Sequence, residues 1–441
     1  METSPGPLMA EWVQSGDGDR RLPRGRPLIA FFDYCDVFED FYPHYGVDQR
    51  NFATRWAATG NHAFVSLLQR DVGDVIWYAF SLAPQLSEAQ HELVGCRVKI
   101  LPSSWLHRRL WRLFYLPPAA WRWRRAYPAY ATVASYLALA SRSFLATIRR
   151  DRPDFIFLQD YSSGRFDVLL AVARVLGAQL IAYHSGSRPD HYLGRAVKRW
   201  TIRRADRLVV SSQEEREMLI QRFRVAPERI SVTLTPIDTS VFRQLGRAMA
   251  TRLAGLDPDR RYILFVGRLD DPVKRVSALI RSLAGLAAVH PDVDLLVAGE
   301  GPDGQGLRRL AAELAPGRVR FLGWMTGAEP LAALYNSAEC LVLPSRSEGF
   351  PTVVGEAMAC GTPVLASSVG GVGELVVDGR TGWLFPPGDD AALGARLAFA
   401  LEHPDVTARM RPAARRIAEA RVSAEAVAVE LRRCFLGRGS G

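Results

Sequence analysis

Among the 441 residues, the run PSRSEGFPTVVGEAMACGTP from Pro344 to Pro363 holds the side chains best suited to chemistry. Two carboxylates, Glu348 and Glu356, stand with seven residues between them. The first falls in a Gly/Pro turn and the second about one turn into the helix that follows. Gly349 permits a close backbone approach and Pro351 suits the first helical position. The N–H groups of Thr352, Val353 and Val354 then point at whatever lies beyond the helix start. Free N–H groups favour an anion, whereas carboxylates accept hydrogen bonds from vicinal hydroxyls. A sugar nucleotide meets both demands. Taken alone, the pair is the ordinary pattern of a surface Glu and a helix-face Glu with no role, so the surroundings decide.

Short apolar runs flank this stretch, ECLVLP before and PVLAS after, and both suit buried parallel strands. The segment between them is one βαβ crossover, which places functional residues at a strand's carboxyl end. A second such place is YILFVGRLDDPVKR, where a buried strand delivers Gly267 and Arg268 and Lys274 follows six residues after Arg268. Two cations about a strand-to-helix turn suit a diphosphate whose charge grows as it leaves.

SEGFPTVVGEAMACGTPV, continued by GGVGELVVDGRTGWLFPPGD, resembles the carboxyl-terminal signature of the retaining glycosyltransferases of family 4, without gaps over roughly Leu341 to Asp389. The resemblance implies the α/β GT-B fold, two Rossmann-like domains facing across a cleft. It implies transfer of a hexose from a nucleoside diphosphate sugar, UDP- or GDP-linked, with no further cofactor; no metal is expected either, because the chain's acid-rich triplets lack the context of a metal site. In that family the first Glu of the pair contacts the donor sugar and the second the ribose, positions held here by Glu348 and Glu356. Arg268 and Lys274 fall on the diphosphate, and Gly267, Gly349, Phe350, Pro351, Thr352 and Val353 complete the donor-binding set. His184, at the end of the strand QLIAYH and before Gly186, matches a family His beside the reacting sugar carbon. Catalysis is thereby assigned to His184, Arg268, Lys274 and Glu348, although a lone His is also common in cores. PERISVTLTPIDTSVF resembles the element closing the first domain; Pro236 and Ile237 replace its Gly-Val, while Asp238 and Phe242 remain.

The chain is long enough for two or three domains. Its formal charge of +10 points to acidic partners: a nucleotide diphosphate, an anionic membrane or nucleic acid. No nucleic-acid motif accompanies the charge, so nucleic acid is set aside. Five scattered cysteines suit reduced core thiols of a cytoplasmic protein, and neither a signal peptide nor a spanning segment is expected. The acid-rich triplets DPD, DVD and LDD are read as caps at turns.

Residues 1–26 are expected to be a tail, 27–242 an amino-terminal acceptor domain, 243–260 a polar loop-like linker, 261–418 the donor domain, and 419–441 a helix crossing back. LIAFFDY, DVIWYAFS and CRVKILP read as the first three strands, each separated by room for a crossover helix. The loop Tyr34–Gly46 departs from the family's glycine pair. Its Asp36, Glu39 and His44 shape an acceptor pocket or belong to a variable surface loop. Trp105 to Arg125 holds six Arg, four Trp and no acid. It suits either an interfacial element on anionic lipid, making the protein peripheral at the inner membrane face, or a helix packing its Trp inward. Tyr130–Arg149 reads as one amphipathic helix. The acceptor, whether lipid, glycan or small molecule, is not legible. The alternatives to a transferase are a non-catalytic sugar-nucleotide-binding subunit and a phosphorolytic enzyme of the same fold.

Overall fold

The apolar runs of the first half become an eight-stranded sheet. Its strands are β1 (Leu28–Phe32), β2 (Asp74–Ser81), β3 (Ser87–Gln90), β4 (Arg97–Pro102), β5 (Phe155–Gln159), β6 (Gln179–His184), β7 (Arg207–Val210) and β8 (Ile230–Val232). The computed structural model describes residues 25–40, 42–45, 47–56, 60–114, 127–184, 195–325 and 327–437. The strand order is β3-β4-β2-β1-β5-β6-β7-β8, all parallel except β3, which pairs antiparallel with β4. A crossover helix was expected between the second and third apolar strands. The short exposed strand β3 stands there instead, and SEAQ carries no apolar alternation to announce it. Every residue of β2 is buried, as a central strand covered on both faces requires.

The second half builds a six-stranded, all-parallel sheet. Its strands are β9 (Arg261–Val266), β10 (Val293–Ala298), β11 (Val319–Gly323), β12 (Cys340–Leu343), β13 (Val364–Ser367) and β14 (Gly382–Phe385), in the order β11-β10-β9-β12-β13-β14. The chain moves outward from β9 to β11 and then returns to lay β12 against β9. Two loops therefore part company at the β9/β12 boundary. A crevice opens at such a switch point, outside the carboxyl ends of the strands. The first sheet has the same device at β1/β5.

The chain divides into two compact units, residues 1–233 with 428–441 and residues 234–427. The stretch 243–260 thus lies inside the second unit and is not a bare loop. It contains the helix Arg247–Leu253, with Ala250 and Thr251 buried. Asp238 and Phe242 also fall in this unit rather than in the first. Residues 428–441 group with the first unit, where the Phe435 ring lies 5.1 Å from Phe155 and 5.8 Å from Phe157. The single helix read over Tyr130–Arg149 is two, Tyr127–Leu139 and Arg142–Asp151. Of the triplet DVD, Asp294 is no cap: it is buried and accepts from Arg318 Nε at 2.9 Å.

Candidate functional site

In the second unit the loops after β9 and β10 are pressed together backbone to backbone. Gly267 N–H donates to the Ala298 carbonyl at 3.0 Å and Leu269 N–H to the Glu300 carbonyl at 2.9 Å. A side chain at Gly299, where φ is +138°, would place its Cβ 1.9 Å from the Gly267 carbonyl oxygen, so only glycine fits. This contact sets the position of Arg268, which is exposed and makes no ion pair among the described residues.

Lys274 ends the short helix Asp271–Lys274, and Glu348 lies in the loop after β12. The fold brings the two into direct contact. Lys274 Nζ donates to both carboxylate oxygens of Glu348 at 2.7 Å, and Ser345 Oγ donates to Glu348 Oε1 at 2.5 Å. The Glu348 side chain is only 7% exposed and that of Lys274 22%. The loops are tied together again where Arg346 N–H meets the Val273 carbonyl at 2.8 Å. Two groups assigned separately to diphosphate and sugar thus begin as one ion pair.

The helix Thr352–Ala359 follows. Pro351 is its N-cap rather than its first turn, since ψ of 110° is extended, not helical. Val354 N–H is not free either: it donates to the Pro351 carbonyl at 3.0 Å. Thr352 and Val353, at the first two helical positions, are left as the N–H groups without intrahelical acceptors. Phe350 is buried and anchors the turn. Glu356 is part-buried and accepts from the Tyr335 hydroxyl at 2.8 Å. Burial pushes its carboxyl up to about 7, and the Tyr335 hydrogen bond only partly opposes this. Tyr335, burdened by burial and by the neighbouring carboxylate, is held well above its ordinary value and stays a donor.

In the first unit His184 ends β6 and is buried. Its Nδ1 bonds Glu215 Oε1, an oxygen that also accepts from the Tyr161 hydroxyl at 2.5 Å, and its Nε2 lies 3.8 Å from Asp160 Oδ1. Burial disfavours the charged ring, but the Glu215 hydrogen bond and charge outweigh it, so His184 sits above its ordinary value. Asp160 adopts a φ of +107°, an uncommon conformation for a non-glycine residue. The turn SGSRP beyond His184 lies outside the described residues.

The acidic loop after β1 is spent on the protein itself. Asp36 pairs with the buried Arg165 at 3.0 Å, and Glu39 accepts from Ser81 Oγ at 2.6 Å and Leu82 N–H at 3.0 Å. Buried Asp33 accepts from the Tyr42 hydroxyl at 2.5 Å. Asp36 and Glu39 are therefore braces, neither free pocket walls nor a loose surface. His44 stands in a short 3-10 turn, Tyr42–Tyr45. Of Trp105 to Arg125, the helix Trp105–Phe114 is described: Trp105 is 63% exposed, while Trp111 turns inward and donates to Asp40 at 2.8 Å. Trp121 and Trp123 lie outside the described residues. Among the described residues no helix is long and apolar enough to cross a membrane, and no group of three metal-binding side chains is found.

Each half of the chain matches a known family. Residues 57–241 match Glycosyltransferase Family 4, and residues 252–417 match Glycosyl transferases group 1. Over 229 residues the chain is 38% identical to the D-inositol 3-phosphate glycosyltransferase of Streptomyces scabiei, covering 49% of this chain and 51% of that protein. The enzyme of that name from Mycobacterium sp. strain KMS is 40% identical over 210 residues, 46% of each. The chain thus spans about half the length of these curated relatives. Among solved structures it is similar to HepE of Anabaena in complex with UDP, with a TM-score of 0.65 at 18% identity over 92% of this chain and 99% of that one. Sucrose-phosphate synthase from Thermosynechococcus elongatus gives a TM-score of 0.67 at 23% identity over 93% and 98%. The fold is GT-B, built of two Rossmann-like domains, and the chain carries glycosyltransferase domains of the family 4 and group 1 types.

Proposed function

We propose that the chain is a retaining hexosyltransferase that takes a hexose from a UDP- or GDP-linked sugar and passes it to an acceptor hydroxyl. The observation that carries this reading is the meeting of Lys274 with Glu348 at the switch point of the second sheet, eight residues before Glu356. When the donor enters, Lys274 and Arg268 counter the charge developing on the departing diphosphate. Glu348, relieved of part of its ion pair, accepts from sugar hydroxyls, and Glu356 accepts from the ribose. The backbone at Gly267 and from Gly349 to Val353 completes the donor contacts. His184, raised above its ordinary value by Glu215, is the side chain of the first unit assigned to the reacting sugar.

Both Glu348 oxygens are taken by Lys274, which argues against a covalent nucleophile there. Front-face attack fits: the bond from the anomeric carbon to the diphosphate breaks, the bond to the acceptor oxygen forms on the same face, and the acceptor proton passes to the leaving diphosphate. Two side-chain cations take the part a metal would otherwise play, and the reaction is read as metal-independent. The UDP bound by HepE fits this donor class, and the name of the curated relatives fits glycosyl transfer.

A cytoplasmic protein resting on an anionic membrane is the setting that suits the surface of the first unit and its free, buried cysteines. Trp105 carries Arg109 over its ring at 5.4 Å, and Trp200, 55% exposed, carries Arg204 at 4.0 Å. Exposed Trp capped by Arg suits a headgroup region.

Incubation with UDP- and GDP-hexoses, with anomeric products read by NMR, tests the reading. Slow donor hydrolysis without acceptor and retained configuration are expected. Binding without any turnover would make the chain a carrier, inverted product would remove the front-face mechanism, and sugar phosphate formed with inorganic phosphate would make it a phosphorylase.

A further inference from the structure

The second unit holds a cavity that the donor reading leaves unused. It lies at the amino-terminal edge of the sheet, where β9 begins at Arg261 and β12 at Cys340, and its volume is about 520 Å3. A six-residue strand at about 3.3 Å per residue puts this edge roughly 20 Å from Gly267 and the loops at the other end. Arg247, Arg261 and Arg411 line it, with Glu339, Asn336 and Thr407.

The charges do not balance. Glu339 is 8% exposed and accepts through the same oxygen, Oε1, from Arg247 Nη1 and Arg261 Nε, each at 3.2 Å. Arg411 has no ion pair among the described residues; its one hydrogen bond runs from Nη2 to the Ala338 carbonyl at 2.7 Å. Asp292, 3.9 Å from Arg261 Nη1, is not part of the lining. Arg247 and Arg261 each give one further bond, to the Arg260 and Leu401 carbonyls. Five of the fifteen N–H donors on three guanidiniums are therefore engaged. The remaining lining offers them little, because the Asn336 oxygen already accepts from Leu245 N–H and Thr407 donates to backbone carbonyls. Burial pulls the Arg411 guanidinium below its ordinary value; Glu339 works against this and the nearby Arg247 reinforces it.

Convergent guanidiniums with spare donors in a concave pocket match the oxygens of a phosphate, which each can meet in bidentate fashion. The volume admits a phosphate carrying a small organic group. We propose that this cavity binds a small phosphate-bearing anion, free phosphate or a phosphomonoester, at a site distinct from the one that takes the nucleotide sugar.

The test is calorimetric titration of the full chain with inorganic phosphate and, separately, with glycerol 3-phosphate at constant ionic strength, with no nucleotide present. Arg411→Gln and Arg247→Gln should each weaken binding at least about tenfold, the worth of one hydrogen bond to a charged group. Glu339→Gln removes the competing carboxylate and should tighten it, a change that misfolding does not imitate. Lys274→Ala should leave the affinity unchanged. Tighter binding of the ester assigns the site to a phosphorylated metabolite, and tighter binding of phosphate to the free ion; either supports the site. The proposal is overturned if wild-type protein binds neither probe. It is equally overturned if binding is lost in Lys274→Ala and kept in both arginine variants, which would locate the anion at the donor loops. Neither measurement uses turnover, so the transferase reading stands or falls separately.

Discussion

Replacing Glu356 by Gln should make the empty protein more stable and the nucleotide-binding protein worse. The carboxyl is displaced from an ordinary 4.5 to about 7 by burial. At roughly 1.4 kcal/mol per pH unit, ionising it in place costs about 3 kcal/mol. The sign follows from proton counting. Between 4.5 and 7 the folded state keeps a proton that the unfolded chain has released, so stability falls as pH rises through this window. The penalty is absent below 4.5, where both states are protonated, and complete above 7. Glutamine keeps an oxygen to accept from Tyr335 and carries no charge to desolvate. Scanning calorimetry of both proteins at a series of pH values, reading the transition of the second unit, should show curves that coincide near pH 4.5 and separate by up to about 3 kcal/mol above pH 7. Titration with UDP and GDP should show the reverse order of merit, since a neutral amide is a poorer acceptor for ribose hydroxyls than a carboxylate. A stability difference that stays flat across the range would refute the argument, because the titrating group would then not be Glu356.

Other outcomes follow from the same geometry. Lys274→Ala and Arg268→Ala should each lower turnover by roughly 10²- to 10³-fold at saturating donor, the scale of losing one pre-placed stabiliser of developing charge; near-normal turnover in both would remove the diphosphate assignment. Glu348→Ala should leave nucleoside diphosphate binding almost unchanged in calorimetry while weakening the intact sugar nucleotide, and the opposite pattern would exchange the roles of Glu348 and Glu356. Glu215→Gln should lower the His184 titration, followed by NMR, because burial is then opposed by the Asp160 charge alone. The stability that the His184–Glu215 pair contributes should be present at low pH and lost as pH rises through the raised His184 value; a ring whose titration ignores the Glu215 change would show the contact to be unimportant. Flotation with anionic vesicles should fall with salt without vanishing, and Trp105→Ala with Trp200→Ala should remove the salt-resistant part. A wild-type protein that does not float at low salt would turn attention to soluble acceptors.

The strands that carry the site were legible because buried parallel strands are nearly continuous apolar runs, as in RYILFV and CLVL. What escaped were features whose signal is not local. Strand β3 is polar and exposed, so pattern reading passes over it. The helix Arg247–Leu253 buries only a small face of a charged segment. Glu215 carries no local signal of its role: Ser212-Gln-Glu-Glu215 has the spacing of a capping box, and Ser212 Oγ accepts from Glu215 N–H at 3.2 Å. The Glu215 carboxylate, however, reaches His184 instead of the helix start. Likewise Lys274 and Glu348 each looked like a separate ligand-binding group. Their pairing depends on the return of β12 to the side of β9, which no local spacing encodes.

The contact between Gly299 and the Gly267 carbonyl bears on how sequence variants of this protein should be interpreted. Gly299 has no side chain to offer a substrate, and a survey of ligand contacts would pass over it. Any larger residue there must push the neighbouring strand's loop, and with it Arg268, out of place. With Arg268 assigned to the diphosphate as proposed, a variant at 299 would then resemble a fault in diphosphate handling while leaving most of the protein's core undisturbed, although the atoms nearest a side chain there are all backbone.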